Sequence, residues 1–317
     1  MDYATGKTTL LVEDPRADVS GLMVNPASGK VEAVQIDYLK PEWTVLDAGV
    51  KGDIAFLNEK LGEWAVGSRT HADDKWTVAT LNSDKASSTY LYDRKAKTLT
   101  KMFDTRPQLE GVALAPMRPV EIKTRDGKTM VSYLTLPAGT AAKPAKPLPM
   151  VLLVHGGPWA RDGYGFDTEA QLLANRGYAV LQPNFRGSTG FGKAFTNAGN
   201  GEWGAKMHDD LIDAVNWAVA GGFADARKVA IMGGSYGGYM CYAAAVQLKD
   251  KLTATQCTVA ISNFVSFLEN TNPYRQDLRR VEYGDERDPK QRAKLTAISP
   301  LTRVGEITRP MFVITGA

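Results

Sequence analysis

The residues best suited to do chemistry are Gly233-Gly234-Ser235-Tyr236-Gly237, one serine among small neighbours directly after the apolar run Lys228–Met232. The spacing satisfies G-x-S-x-G at Gly233, Ser235 and Gly237. Such a serine sits on a sharp turn between a strand and a helix, where only tiny neighbours avoid clashing. The turn lifts its hydroxyl above the carboxyl end of a sheet and sets the Tyr236 N–H, at the helix N-terminus, where an oxyanion would form. A second glycine turn, His155-Gly156-Gly157-Pro158-Trp159, follows another apolar run, and Gly156 or Gly157 is the natural second oxyanion donor. The chemistry these groups suit is acyl transfer, provided a base takes the serine proton.

The elements that must position these residues alternate. After Pro116, residues 118–137 alternate about Asp126-Gly127, a hairpin turn. PMVLLVHGG, YAVLQPN, KVAIMGG, CTVAISNF and PMFVITGA read as strands. Asp167 or Thr168 caps a helix that Gly177 ends; Asp209 and Asp210 open another, stopped by Gly221-Gly222; a third follows Ser235. That order predicts a mostly parallel sheet with helices on both faces. Residues 1–117 read instead as short strands, TLLVED, GLMVN, KVEAVQIDYL, WTVATL, STYLYD and LTKMF, with no long helix. Within them Gly21 matches Gly111 and Pro26 matches Pro116, an offset of 90 residues, twice the roughly 45 residues of a four-stranded propeller blade. The expectation is about two blades in 1–117, too few to close a ring, and an α/β domain over 118–317.

Residues 118–317 resemble the catalytic domain of the prolyl oligopeptidase family of serine peptidases, in the branch of acylaminoacyl-peptidases and dipeptidyl-peptidase-like enzymes. The resemblance is carried by HGGPW, PNFRGSTGFG (183–192), GEWG (201–204), GGSYGGYM and the terminal RPMFVITGA. It implies an α/β-hydrolase fold preceded by part of a β-propeller, with short peptides as substrate. It makes Ser235 the nucleophile and the Tyr236 and Gly157 N–H groups the oxyanion hole. Tyr236, Tyr239, Phe264 and Phe267 would wall the pocket for the residue before the scissile bond, with plain core as the competing reading for Phe264 and Phe267.

The base is the difficulty. In this fold the triad runs Ser, then Asp or Glu, then His, yet His71, His155 and His208 all precede Ser235. His155 reads as a residue that shapes its loop, His208 as a cap-region or surface residue, and His71 as part of a polar loop. The family's catalytic Asp would follow the strand that PMFVITGA resembles, and the chain stops at Ala317. Asp285 and Asp288 come too early and read as loop residues. The expectation is a piece of a longer enzyme, incomplete at both ends and nearly inert as given, since a triad acts as a unit.

Composition narrows the field. A net charge of +3 with no long block of one sign calls for neither nucleic acid nor an anionic membrane. No apolar run approaches the ~20 residues of a membrane span. No signal peptide opens the chain, and cytoplasmic and periplasmic locations both stay open. Cys241 and Cys257 are too few for a disulfide framework and read as small core residues. Thr5–Thr8 (TGKT) lacks the spacing of a phosphate loop, Gly187–Gly192 that of a dinucleotide turn, and no His/Cys/Asp cluster has metal-ligand spacing. No cofactor or metal is expected. Arg275, Arg279 and Arg280 could hold a substrate carboxylate, though a solvated charged loop is the preferred reading. Two rivals remain: a carboxylesterase on the same fold, disfavoured by the bladed region, and a noncatalytic binding protein that kept the elbow.

Overall fold

The structure is a computed structural model that describes residues 3–316. The chain forms two compact units, one of Met1–Ala113 with Tyr164–Phe166 and Gly190–Gly192, the other of Leu114–Gly163, Asp167–Thr189 and Lys193–Ala317.

The first unit holds two antiparallel sheets of the kind that form propeller blades. One contains β1 (Val19–Val24), β2 (Val31–Asp37) and β3 (Pro41–Val45); the other contains β4 (Trp64–Arg69), β5 (Lys75–Thr80), β6 (Ser88–Asp93) and β7 (Thr98–Asp104). Residues 9–14 (TLLVED), expected as a strand, have no regular structure. Between the sheets runs α1 (Ala48–Leu61), a 14-residue helix in a region expected to hold none. Asp47 caps it, accepting from the Gly49 N–H at 2.7 Å. Its Val50, Ile54 and Leu57 join Met23, Trp64, Trp76 and Tyr92 in one core. Arg69 and Arg94 stack over the Trp76 ring at 4.7 and 4.8 Å while pairing with Asp73.

The second unit is built on a seven-stranded sheet, in the order β14 (Met311–Ile314), β13 (Ala254–Thr258), β12 (Ala224–Gly234), β10 (Leu148–Val154), β11 (Ala179–Pro183), β9 (Thr129–Thr135), β8 (Met117–Lys123). The hairpin of β8 and β9 turns at Asp126-Gly127 and pairs antiparallel with β11. β10, β11, β12, β13 and β14 run parallel to one another. The helices are α2 (Thr168–Ala174), α3 (Lys193–Asn197), α4 (Lys206–Ala220), α5 (Tyr236–Gln247), α6 (Phe264–Glu269), α7 (Pro273–Tyr283) and α8 (Pro289–Ala297). One face of the sheet packs Leu152, Val154, Leu181 and Ile231 with residues of α4 and α5. On the other, Leu153, Val180 and Met232 pack with Ala170 and Leu173 of α2. This is the α/β-hydrolase arrangement. The strand order reverses beside β10, and crevices at such switch points, outside the carboxyl ends of strands, are where ligands bind in open α/β sheets.

Three local expectations are corrected. β13 ends at Thr258 instead of running to Phe264, because Val259 turns away at φ 40° while its N–H bonds the Ile314 carbonyl at 2.7 Å. α4 begins at Lys206, three residues before Asp209, and Asp210 is drawn inside to pair with Arg186. Cys241 and Cys257 are not free core thiols but a disulfide joining α5 to β13. The bond closes a loop of 16 residues between two buried positions. Its removal in a Cys241→Ala/Cys257→Ala variant is expected to cost about 3 kcal/mol, read as a lower denaturant midpoint; an unchanged midpoint would contradict this.

Candidate active site

β10 and β12 are adjacent, with Val154 opposite Gly233, so both glycine turns leave the same end of the sheet side by side. Ser235 occupies the β12–α5 turn at φ 56°, ψ −113°, a conformation costly for any residue with a Cβ. It is solvent-exposed. Its N–H donates to the Thr258 carbonyl at 2.9 Å, and its own carbonyl accepts from the Tyr239 N–H at 3.0 Å. The strained backbone is thus held from both sides. Tyr236 is the first residue of α5, so its N–H has no intrahelical acceptor and meets the positive end of the helix dipole.

Glycine is required here for close approach. A Cβ on Gly237 would stand 2.1 Å from the Val154 carbonyl oxygen and 2.9 Å from that of His155. A Cβ on Gly156 would stand 3.4 Å from the Ser235 Cβ and 3.1 Å from the Gly234 carbonyl oxygen, which puts the HGGPW turn directly against the serine. Gly157 has φ 121°, a value side chains rarely allow.

The three histidines are accounted for, and none bonds Ser235 among the described residues. His71 lies in the β4–β5 turn. His155 is bound to its own turn and to the loop after β11, Nδ1 to the Gly156 carbonyl at 2.8 Å and Nε2 to the Ser188 hydroxyl at 2.9 Å. His208, expected near the surface, is 1 % exposed inside α4, and neither ring nitrogen has a hydrogen-bond partner among the described residues. Burial alone pushes its pKa down to about 4.

That burial has a consequence for stability. Between about pH 6.5 and 4 the unfolded chain protonates His208 first, so its contribution is complete above 6.5 and lost as pH falls toward 4. Asp162 acts in the opposite sense: burial, with Asp167 and Glu169 nearby, pushes it up to about 7, so stability is lost as pH rises toward 7. His208→Leu is expected to stabilise the fold by about 1 kcal/mol at neutral pH and to flatten the acid side of a melting-temperature profile. An unchanged profile would contradict this.

The aromatic residues divide differently from expectation. The side chains of Tyr236, Tyr239 and Phe264 are fully buried. They form a core around Trp203, with ring centroids 4.3, 6.0 and 5.4 Å from it, behind any open wall. The Tyr239 hydroxyl donates to the Ile298 carbonyl at 3.2 Å. Phe267 instead lines an open cleft of about 480 Å³ that begins at Val259, next to the Thr258 that holds the serine backbone. Arg275 and Arg279 line the same cleft. Arg279 lies over the Phe267 ring at 4.3 Å and donates to Thr271 Oγ1 at 2.6 Å. Arg280 is turned away, paired with Glu286 at 2.5 Å.

The PNFRG stretch does more than sequence reasoning assigned to it. Buried Arg186 pairs with Asp210 of α4 at 2.7 Å and with Asp126 of the β8–β9 turn at 2.8 Å, holding the Asp126 carboxyl well below the usual range. Asn184 accepts the Asp162 N–H at 2.7 Å and donates to its carbonyl at 3.1 Å. Together they tie the loop after β11 to the β8–β9 turn, to α4 and to the segment that follows the HGGPW turn. Among the described residues no group of acidic, cysteine or histidine side chains has metal-binding geometry, and no helix is long and apolar enough to cross a membrane.

An exposed serine on a strand–turn–helix elbow, beside a glycine turn at the carboxyl end of the sheet, is the elbow arrangement of the α/β-hydrolase fold. The chain belongs to the prolyl oligopeptidase family of serine peptidases, whose family model matches residues 164–317. It is 50% identical over 331 aligned residues to dipeptidyl aminopeptidase BIII of Pseudoxanthomonas mexicana, covering 100% of this chain and 47% of that protein. It is 38% identical to dipeptidyl peptidase family member 6 of Caenorhabditis elegans, covering 97% of this chain and 45% of that protein. Among solved structures, a puromycin-hydrolyzing peptidase of Mycobacterium tuberculosis shares the fold with a TM-score of 0.76 at 24% identity, covering 94% of this chain and 45% of the other. The chain spans about half the length of the curated relatives it matches.

Proposed function

We propose that the protein is a serine peptidase that cleaves short peptides, releasing dipeptides or acylated residues, through an acyl-enzyme on Ser235. The observation that carries this reading is the exposed Ser235 at φ 56°, held against the Gly156-Gly157 turn. In the first half-reaction Ser235 Oγ attacks the scissile carbonyl carbon as a base takes its proton. The Tyr236 and Gly157 N–H groups receive the oxyanion, and the same base then protonates the leaving amine. In the second half-reaction water attacks the ester and frees Ser235. None of the three histidines is that base, so residues 1–317 by themselves turn over almost no substrate. The Phe267 cleft takes the side chain before the scissile bond, its wall stiffened from behind by Tyr239 and Phe264.

The name of the relative at 50% identity supports dipeptide release over ester hydrolysis. The test compares the complete gene product on a dipeptidyl anilide, an N-acetyl-aminoacyl anilide and a simple acyl ester. Faster kcat/KM on either anilide than on the ester supports the reading. Turnover of the ester alone would make the protein an esterase, and no turnover of any would favour a noncatalytic hydrolase relative.

A further inference from the structure

Half-buried His155 has both ring nitrogens engaged and stands in the turn that lies against Ser235. A carbonyl oxygen can only accept, so the 2.8 Å contact from His155 Nδ1 to the Gly156 oxygen puts a proton on Nδ1. Burial drives the ring pKa down to about 4, so at neutral pH it carries that proton alone. Nε2 then offers a lone pair, and the Ser188 hydroxyl donates to it at 2.9 Å. The ring also stacks on Phe185, with centroids 4.5 Å apart and planes inclined by 15°.

Ser188 is itself immobile. It is fully buried, its N–H bonds the Phe185 carbonyl at 3.0 Å, and its carbonyl accepts from Thr196 Oγ1 at 3.1 Å. Two residues earlier, Arg186 anchors the same loop through Asp126 and Asp210.

The Gly156 carbonyl and the Gly157 N–H belong to one planar trans peptide, in which the two groups point in opposite directions. Neither glycine has a side chain to restrain that plane, and a glycine peptide is the easiest in a chain to rotate. Fixing the oxygen therefore fixes the N–H.

We propose that His155, held in its Nδ1–H tautomer by Ser188, is a positioning residue that locks the Gly156–Gly157 peptide with its N–H toward the oxyanion formed at Ser235. His155 touches no substrate; it acts through the carbonyl of the peptide that does. The proposal rests on the reading of Ser235 as nucleophile and Gly157 as oxyanion donor. It predicts a loss confined to the transition state, because the oxyanion exists only there.

The test measures kcat and KM of the complete gene product on a dipeptidyl anilide, with affinity for a peptidyl boronate that forms a tetrahedral adduct. Losing one well-placed oxyanion donor costs on the order of 10²-fold in kcat. His155→Leu is expected to lose about that much kcat and boronate affinity, with KM within about twofold. His155→Asn, whose amide N–H can stand where Nδ1–H stood, is expected to keep activity within about tenfold of the parent. Ser188→Ala leaves the ring in place and guards against misfolding of the first variant; about a fivefold fall in kcat at constant KM is expected. Equal losses in the Asn and Leu variants, a loss carried by KM, or parental activity in His155→Leu would each overturn the proposal. Ser235→Ala run alongside separates the two levels. If it stays active the nucleophile reading has failed, whereas if it is dead while His155→Leu is unimpaired only the present inference has failed.

Discussion

Ser235→Ala is expected to lower kcat of the complete gene product by at least about 10⁴-fold while leaving the fold intact. The two halves of that expectation come from different features. Catalysis is lost because Ser235 carries the hydroxyl that the β12–α5 turn presents to the Gly156-Gly157 loop. The fold survives because alanine at φ 56° bears the same Cβ strain as serine, and the Ser235 hydroxyl makes no hydrogen bond among the described residues. The backbone bonds to Thr258 and Tyr239 do not involve the side chain. Residual peptide binding should persist, since the Phe267 cleft is untouched. Matched melting temperatures with kcat at the background rate are the expected readout. Activity within tenfold of the parent would mean that another residue is the nucleophile.

Gly237→Ala has the largest expected effect on stability. The added methyl would lie 2.1 Å from the Val154 carbonyl oxygen, and its other near neighbours are the His155 oxygen and the Val154 carbonyl carbon. All are backbone atoms of β10 and the turn after it, so nothing can rotate away. α5 must instead shift off the sheet, dragging the Ser235 turn and loosening the packing of Met240, Cys241 and Ala244. A loss of at least about 3 kcal/mol is expected, with activity lost in parallel. Gly52→Ala in α1 is the control, since a Cβ there meets nothing within 4 Å; it is expected to stabilise by about 0.5–1 kcal/mol. Denaturant midpoints of the two variants check both, and a Gly237→Ala midpoint equal to the parent's would contradict the account of the elbow.

The Ser235 turn was legible in sequence because close backbone approach leaves few residue choices. Gly233, Gly237 and Gly156 stand where a side chain would strike a main-chain atom, and that exclusion shows as glycine spacing. The parallel strands were legible for a related reason: fully buried strands such as β10 and β11 read as unbroken apolar runs. What could not be read depends on partners distant in the chain. α1 carries Gly49 and Gly52 in its first turns, so it imitates a loop until Val50, Ile54 and Leu57 find the core of two sheets. Asp210 imitates a helix-opening residue until Arg186, 24 positions earlier, takes it inside. Tyr239 and Phe264 have the composition of a pocket wall, and only the position of Trp203 makes them core. Cys241 and Cys257 pair because α5 folds back over β13, a fact about packing that spacing alone does not carry. The tautomer of His155 likewise depends on Ser188, brought to it by the loop after β11.

The most direct test of the central claim is covalent labelling. The complete gene product is treated with a dipeptidyl diphenyl phosphonate, whose phosphorus is attacked by an activated serine with loss of phenol, then digested and mapped by mass spectrometry. The account predicts one phosphonyl group per chain on Ser235, formed in step with loss of anilide hydrolysis. Complete inactivation with the label on another residue, or full labelling of Ser235 with hydrolysis undiminished, would contradict it.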